Sequence, residues 1–134
     1  MATMRSTLRL LSISPLLLVF AAAAAPPLDG HWDVTFSTRD GESREAVVEI
    51  AAGTGTWKSL PRSGKEKRDP CVDRPFPLKV VSAAPTQVVL EVAFAATIPG
   101  CKDRVVQGKF VDDNVIEGKL ENGKPLRLVR RGGK

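Results

Sequence analysis

After Pro27 the chain alternates apolar and polar residues almost without a break, and turn-forming residues interrupt the alternation at short intervals. Successive side chains of a strand point to opposite faces, so this is the pattern of consecutive half-buried strands. The first predicted strand, His31 to Ser37, sets Trp32, Val34 and Phe36 against Asp33 and Thr35. Beyond the Asp40-Gly41 turn, a second runs from Arg44 to Ala51 with Ala46, Val48 and Ile50 on one face. A third, Thr54 to Leu60, carries Gly55 and Trp57 opposite Thr56 and Lys58. Pro61 to Pro75 has no period and contains three prolines, so these 15 residues read as a loop. A fourth strand, Phe76 to Ser82, presents Phe76, Leu78 and Val80, and a fifth, Gln87 to Thr97, presents Val88, Leu90, Val92 and Phe94. The last three, Arg104 to Val111, Val115 to Glu121 and Pro125 to Arg131, form a meander. Its hairpin turns fall at Asp112-Asp113-Asn114 and Asn122-Gly123. No stretch has the spacing of an amphipathic helix.

Eight short sequential strands, each with one apolar face, leave no exposed edge if they close on themselves. The predicted fold is therefore all-β, an eight-stranded antiparallel up-and-down barrel; a two-layer sandwich is the alternative. The cysteines fit the barrel order. Loops of such a barrel alternate between two rims, and Cys71, after the third strand, shares a rim with Cys101, after the fifth. A disulfide requires that proximity.

The N-terminus has the three parts of a secretory signal: Arg5 and Arg9, an apolar stretch from Leu10 to Phe20, and small residues from Ala21 to Ala25. Residues 1–24 are assigned to it, with cleavage near Ala24, and residues 25–134 to a single barrel domain. The apolar run is interrupted by Ser12, Ser14 and Pro15 and falls short of the roughly 20 residues a membrane span needs. No cysteine adjoins the cleavage site, so a lipid anchor is not expected. Export to the periplasm or exterior suits an even cysteine count paired as a disulfide.

Losing Arg5 and Arg9 leaves 18 of the 20 basic residues against 15 acidic ones, a net charge of +3 instead of +5. The charges are interspersed, whereas nucleic-acid binding needs a clustered basic face. His31, the one histidine, occupies an outward strand position beside Asp33 and reads as solvated surface. Asp112-Asp113-Asn114 reads as a turn, because further oxygen donors at calcium-loop spacing are missing. No serine sits in a nucleophile elbow and no paired carboxylates share the inward face. The sequence implies neither an enzyme, nor a metal site, nor a cofactor.

Trp32, Trp57, Phe36, Phe76, Phe94 and Phe110 all fall on inward positions, as do Gly55, Gly108 and Gly118. An interior of eight strands is just wide enough to be filled by side chains or to hold one small ligand. Both readings stay open; inward glycines leave space, or mark bends and close approaches. The two rims are unequal. One gathers the long loop, the disulfide and Arg62, Lys65, Lys67, Arg68, Arg74, Lys102 and Arg104. Such a loop is functional or is a solvated connection. The functional expectation is a non-enzymatic binding protein that takes a small, mostly apolar ligand at a mouth formed by Phe36, Trp57, Phe76, Leu78 and Phe94. The alternative is a protein-binding or inhibitor module that engages an envelope or extracellular partner through Arg62, Lys65, Lys67, Arg68 and Arg74.

Gly30-His31-Trp32, opening the first strand, resembles the G-x-W start of lipocalins and related calycin barrels. That resemblance implies a tryptophan at the closed end with an arginine of the last strand packed across it. By alternation, Leu126, Leu128 and Arg130 face inward, so Arg130 matches that position and Gly30, Trp32 and Arg130 are structural. The chain is shorter than typical lipocalins and lacks their C-terminal helix. In size it is similar to avidin-like barrels, but it has no tyrosine and its two asparagines lie in predicted turns. It also resembles the small periplasmic barrels that inhibit secreted bacterial metalloproteases, with the same export signal, G-x-W start and single disulfide. Those act through an N-terminal segment, of which only about five residues precede Gly30 here.

Overall fold

The computed structural model describes residues 11–17, 27–62 and 69–132. Most of the proposed leader, and Lys65, Lys67 and Arg68 of the long loop, lie outside the described residues. Residues 11–17 carry no regular secondary structure and are exposed.

Eight strands close into a barrel in sequence order: β1 (Gly30–Ser37), β2 (Ser43–Ala51), β3 (Thr54–Ser59), β4 (Phe76–Ala84), β5 (Gln87–Val92), β6 (Arg104–Asp112), β7 (Val115–Leu120) and β8 (Pro125–Arg130). Every neighbouring pair is antiparallel, and β1 pairs with β8 to complete the ring. No helix of the described residues is long and apolar enough to cross a membrane.

Three strand ends differ from the sequence reading for physical reasons. The predicted fifth strand continued to Thr97, but β5 ends at Val92. Ala93 still donates across to the Pro77 carbonyl at 2.9 Å, after which Thr97 and Ile98 both donate back to the Phe94 carbonyl, forming a tight turn. Phe94 is the last residue there to point into the barrel, and Ala95, Ala96 and Thr97 are exposed on the turn. β4 runs on to Ala84 because a bulge between Val80 and Ser82 absorbs the register shift, and a second bulge between Phe110 and Asp112 carries β6 past Val111. The residue skipped at each bulge, Val81 or Val111, has no partner in the ladder and keeps the outward place that alternation gives it. Both are exposed.

The interior is almost wholly apolar, with Ser59 the buried polar residue among the described ones. Trp32, Trp57, Phe76, Leu90, Ile116 and Leu128 are among the fully buried side chains, each contributing about 1.5 to 3 kcal/mol of transfer free energy. Ring pairs fill it along its length: Trp32 meets Phe110 edge-on at 6.3 Å, Phe36 meets Trp57 at 5.6 Å, and Phe76 meets Phe94 at 4.3 Å between centroids.

The inward glycines mark close approach between strands. A Cβ on Gly118 would stand 2.0 Å from the Gln107 carbonyl oxygen, and one on Gly55 would stand 1.9 Å from that of Glu49. Gly118 faces Gly108 across β6 and β7. The sheet coils there tightly enough to close an eight-stranded ring, and only a residue without a side chain leaves the neighbouring backbone its place.

The end of the barrel from which β1 sets out is sealed. The Arg130 guanidinium lies 4.2 Å from the centroid of the Trp32 ring, a favourable cation–π distance. It donates to the Asp29 carbonyl at 2.6 Å, to the Asp113 carbonyl at 3.2 Å, and to the Pro27 carbonyl. The Trp32 indole donates to the Leu28 carbonyl at 2.9 Å, and Leu28 is itself buried. Residues 27–29 therefore lie as a strap under this end. Gly30 admits the clamp, because a Cβ there would sit 3.0 Å from Arg130 Nη1.

Arg130→Ala is expected to cost about 1 to 3 kcal/mol, through lost packing and the released strap carbonyls. Arg131→Ala is expected to leave the urea midpoint nearly unchanged, since the side chain pairs with Asp33 on exposed surface at 2.6 Å and the variant keeps the backbone bond to the His31 carbonyl. Equal losses from the two variants would contradict this register.

Candidate ligand-binding mouth

The opposite rim holds the β1–β2 connection, the two long connections β3–β4 and β5–β6, and the β7–β8 turn. Cys71 and Cys101 are bonded across the two long connections, with a Cα–Cα distance of 5.7 Å. The bridge holds two walls of the barrel mouth at a fixed separation. Asp73 donates its backbone N–H to the Ser59 carbonyl at 2.8 Å, which ties the returning long loop to the end of β3.

Between these walls lies a depression of about 230 Å³. Its apolar surface comes from Phe36, Val72 and Phe94, which are 6%, 7% and 4% exposed. Its polar surface includes Arg44, Lys102 and Arg104, the Ser59 hydroxyl, and one carboxylate, Asp69. That carboxylate accepts from the Cys71 backbone N–H at 2.9 Å. Arg104 donates from Nη1 to Glu121 at 3.2 Å.

The sequence-predicted ligand residues divide by depth. Phe36 and Phe94 border the depression, whereas Trp57, Phe76 and Leu78 lie beneath them and are almost wholly buried. The Phe36–Trp57 and Phe76–Phe94 ring pairs form its base. Trp57 satisfies its indole N–H on the Ser59 hydroxyl at 2.9 Å. Ser59→Ala would strand that buried donor, at an expected cost of about 1 to 3 kcal/mol, readable as a lower urea midpoint with unchanged m-value. A midpoint equal to wild type would mean that the indole has another partner.

Of the predicted rim cations, Arg62 pairs with Glu42 at 2.8 Å and so turns toward the β1–β2 connection. Arg74 is exposed. Among the described residues, no group of three or more His, Cys, Asp or Glu is placed to hold a metal. His31 sits on the outer face, 3.2 Å from Glu49 and at the sealed end.

Sequence reasoning passed over Arg44 and Ser59. The signal for Arg44 was present: it stands one inward step before Ala46, Val48 and Ile50, and partners Phe36 across β1 and β2. Arg104 stands in the same relation to Val106 on β6.

The chain matches no protein-family model and no curated protein. Among solved structures it is similar to two redesigned β-barrels. One is 19% identical over 78% of this chain and 91% of its own, with a TM-score of 0.45. The other, mFAP1 bound to DFHBI, is 15% identical over 78% of this chain and 94% of its own, with a TM-score of 0.47. In both cases the likeness is one of barrel fold alone.

Proposed function

We propose that this chain is a non-enzymatic binding protein, exported to the periplasm or the exterior, which takes a small and mostly apolar ligand at the mouth on the disulfide rim. The observation that carries this reading is the depression of about 230 Å³, whose apolar base of Phe36, Val72 and Phe94 is backed by buried aromatic pairs. Sites for drug-sized molecules run from about 300 to 1,000 Å³, so the ligand is smaller than these. It rests on the aromatic base instead of entering the barrel.

Several observations support the rest of the reading. Leu11, Ile13, Leu16 and Leu17 are almost fully exposed, as large apolar residues of a removable leader would be. The disulfide suits an oxidising compartment. Arg130 over Trp32, at the start of a G-x-W strand, supports kinship with calycin barrels. Among the described residues, the carboxylates near the mouth, Asp69, Asp103 and Glu121, each accept a backbone N–H that fixes a loop or strand end, and His31 is at the other end. An inhibitor acting through its N-terminus is disfavoured by the strap at Pro27–Asp29, which is held against the end opposite the mouth.

Native mass spectrometry of protein purified from its own source tests this reading. A small organic adduct is expected on the wild type and not on Thr38→Trp, which fills the depression from its exposed edge. An adduct retained equally by both would place the site elsewhere, and a wild type with no adduct would count against a tightly held ligand.

A further inference from the structure

The mouth carries its charge in a definite arrangement. Arg44 and Arg104 occupy the first inward positions of β2 and β6, each immediately before a buried residue on the same face, Ala46 and Val106. In a closed ring of eight strands, β2 and β6 are four strands apart. The two arginines therefore stand on opposite sides of the opening, and both line the depression above Phe36 and Phe94. Lys102 adds a third cation from the bridged loop. Among the described residues that line the depression the carboxylate is Asp69, engaged with the Cys71 N–H, while Glu121 stands beside Arg104.

An arginine has five N–H donors. The Arg104–Glu121 pair uses Nη1, so the guanidinium keeps donors for another acceptor while Glu121 holds its position. Arginine is also suited to planar, two-point recognition of a carboxylate, and it lies against apolar surface at less cost than lysine. The low-dielectric floor strengthens the attraction relative to open solvent.

We propose that the mouth selects an organic carboxylate: an apolar body resting on Phe36, Val72 and Phe94, with its carboxylate held between Arg44 and Arg104. This rests on the mouth being the binding site and adds the charge class of what it binds. Phosphate alone would satisfy the arginines but leave the apolar base uncovered, so the two halves of the proposal separate experimentally.

The test uses para-fluorobenzoate and para-fluorobenzamide, nearly isosteric and differing in charge, together with inorganic phosphate. Fragments of this size bind in the millimolar range at best, so the organic affinities are read by fluorine NMR up to about 50 mM. Phosphate is read by competition against the benzoate. The benzoate is expected to bind about tenfold or more tightly than the benzamide, the worth of a charge-assisted hydrogen-bonded pair. Arg104→Gln and Arg44→Gln are each expected to weaken the benzoate about fivefold or more and leave the benzamide unchanged. Because either arginine could also support the fold, circular dichroism and the urea midpoint of both variants are recorded, and Arg104→Lys should recover part of the affinity.

Equal binding of benzoate and benzamide, both abolished by Thr38→Trp, would overturn the charge selection and leave the mouth as the site. Phosphate displacing the benzoate at equal concentration would overturn the apolar half. Loss of all binding at the mouth would overturn both the charge selection and the reading on which it rests.

Discussion

Gly118→Ala is expected to be among the most damaging conservative substitutions in this barrel. The added methyl would stand 2.0 Å from the Gln107 carbonyl oxygen and 2.6 Å from the Gly108 Cα. Backbone is on every side, so no side chain can turn away to make room. Relief requires β6 and β7 to part at this close approach, with an overpacking cost of about 3 kcal/mol. For a small domain that is roughly a 10 to 15 °C fall in melting temperature. Against a total stability of about 5 to 15 kcal/mol, the variant should fold poorly at growth temperature. Lys119→Ala, on the outward side of the next residue, should change stability by no more than about 0.5 kcal/mol. Thermal melts of the pair decide the matter: comparable melting temperatures would show that the coil at Gly108 and Gly118 yields easily, and that ring closure does not depend on it.

The disulfide should have an effect of similar size by a different route. The bond closes a segment with a sequence separation of 30, and the chain-entropy account gives about 3 to 4 kcal/mol for a loop of that length. Replacing Cys71 and Cys101 together with serine is expected to lower the unfolding free energy by that amount, read as a lower urea midpoint. Reduction of the wild type should bring it to the same midpoint, since both changes release the same constraint. Before reduction, an alkylating reagent should add no mass. The bridged loops also form two walls of the mouth, so either treatment should weaken binding there as well as stability. A serine pair that unfolds at the wild-type midpoint would show that the loops are held without the bond.

Much of this fold was readable because the barrel imposes one rule on every strand. Trp32, Val34 and Phe36, or Leu126 and Leu128, could not be moved by one position without exchanging core for solvent. The pairing of Cys71 with Cys101 followed from loops alternating between rims. Reading failed where the rule is suspended. The alternation runs through Phe94 and then stops at Ala95-Ala96-Thr97, where the chain turns and its hydrogen bonds close on Phe94. Bulges at Val80/Ser82 and Phe110/Asp112 leave no mark in the pattern, because a bulge adds a residue without changing residue type.

The site was less legible than the fold. Aromatic residues on the inward face were identified, but depth along the barrel axis separates Phe36 and Phe94 from Trp57 and Phe76, and alternation reports face, not depth. Counting basic residues pointed to the disulfide rim, but it ignored the acids among them. Glu42 draws Arg62 aside, and Glu121 pairs with Arg104. What distinguishes Arg44 and Arg104 is their inward register at strand ends on opposite sides of a closed ring, which becomes visible only once the ring is closed.

The central claim is that binding takes place at the mouth between the bridged loops. An amide chemical-shift map of nitrogen-15-labelled protein, titrated with para-fluorobenzoate and separately with para-fluorobenzamide, tests it most directly. Shifts are expected at Thr38, Ser59, Val72, Phe94, Cys101 and Lys102, which line the depression. Leu28, Ala52 and Asn114 at the sealed end, and Lys79 and Glu91 on the outer sheet face, should remain in place. Shifts gathered at the sealed end or on the outer face, with the mouth amides unmoved, would contradict the claim.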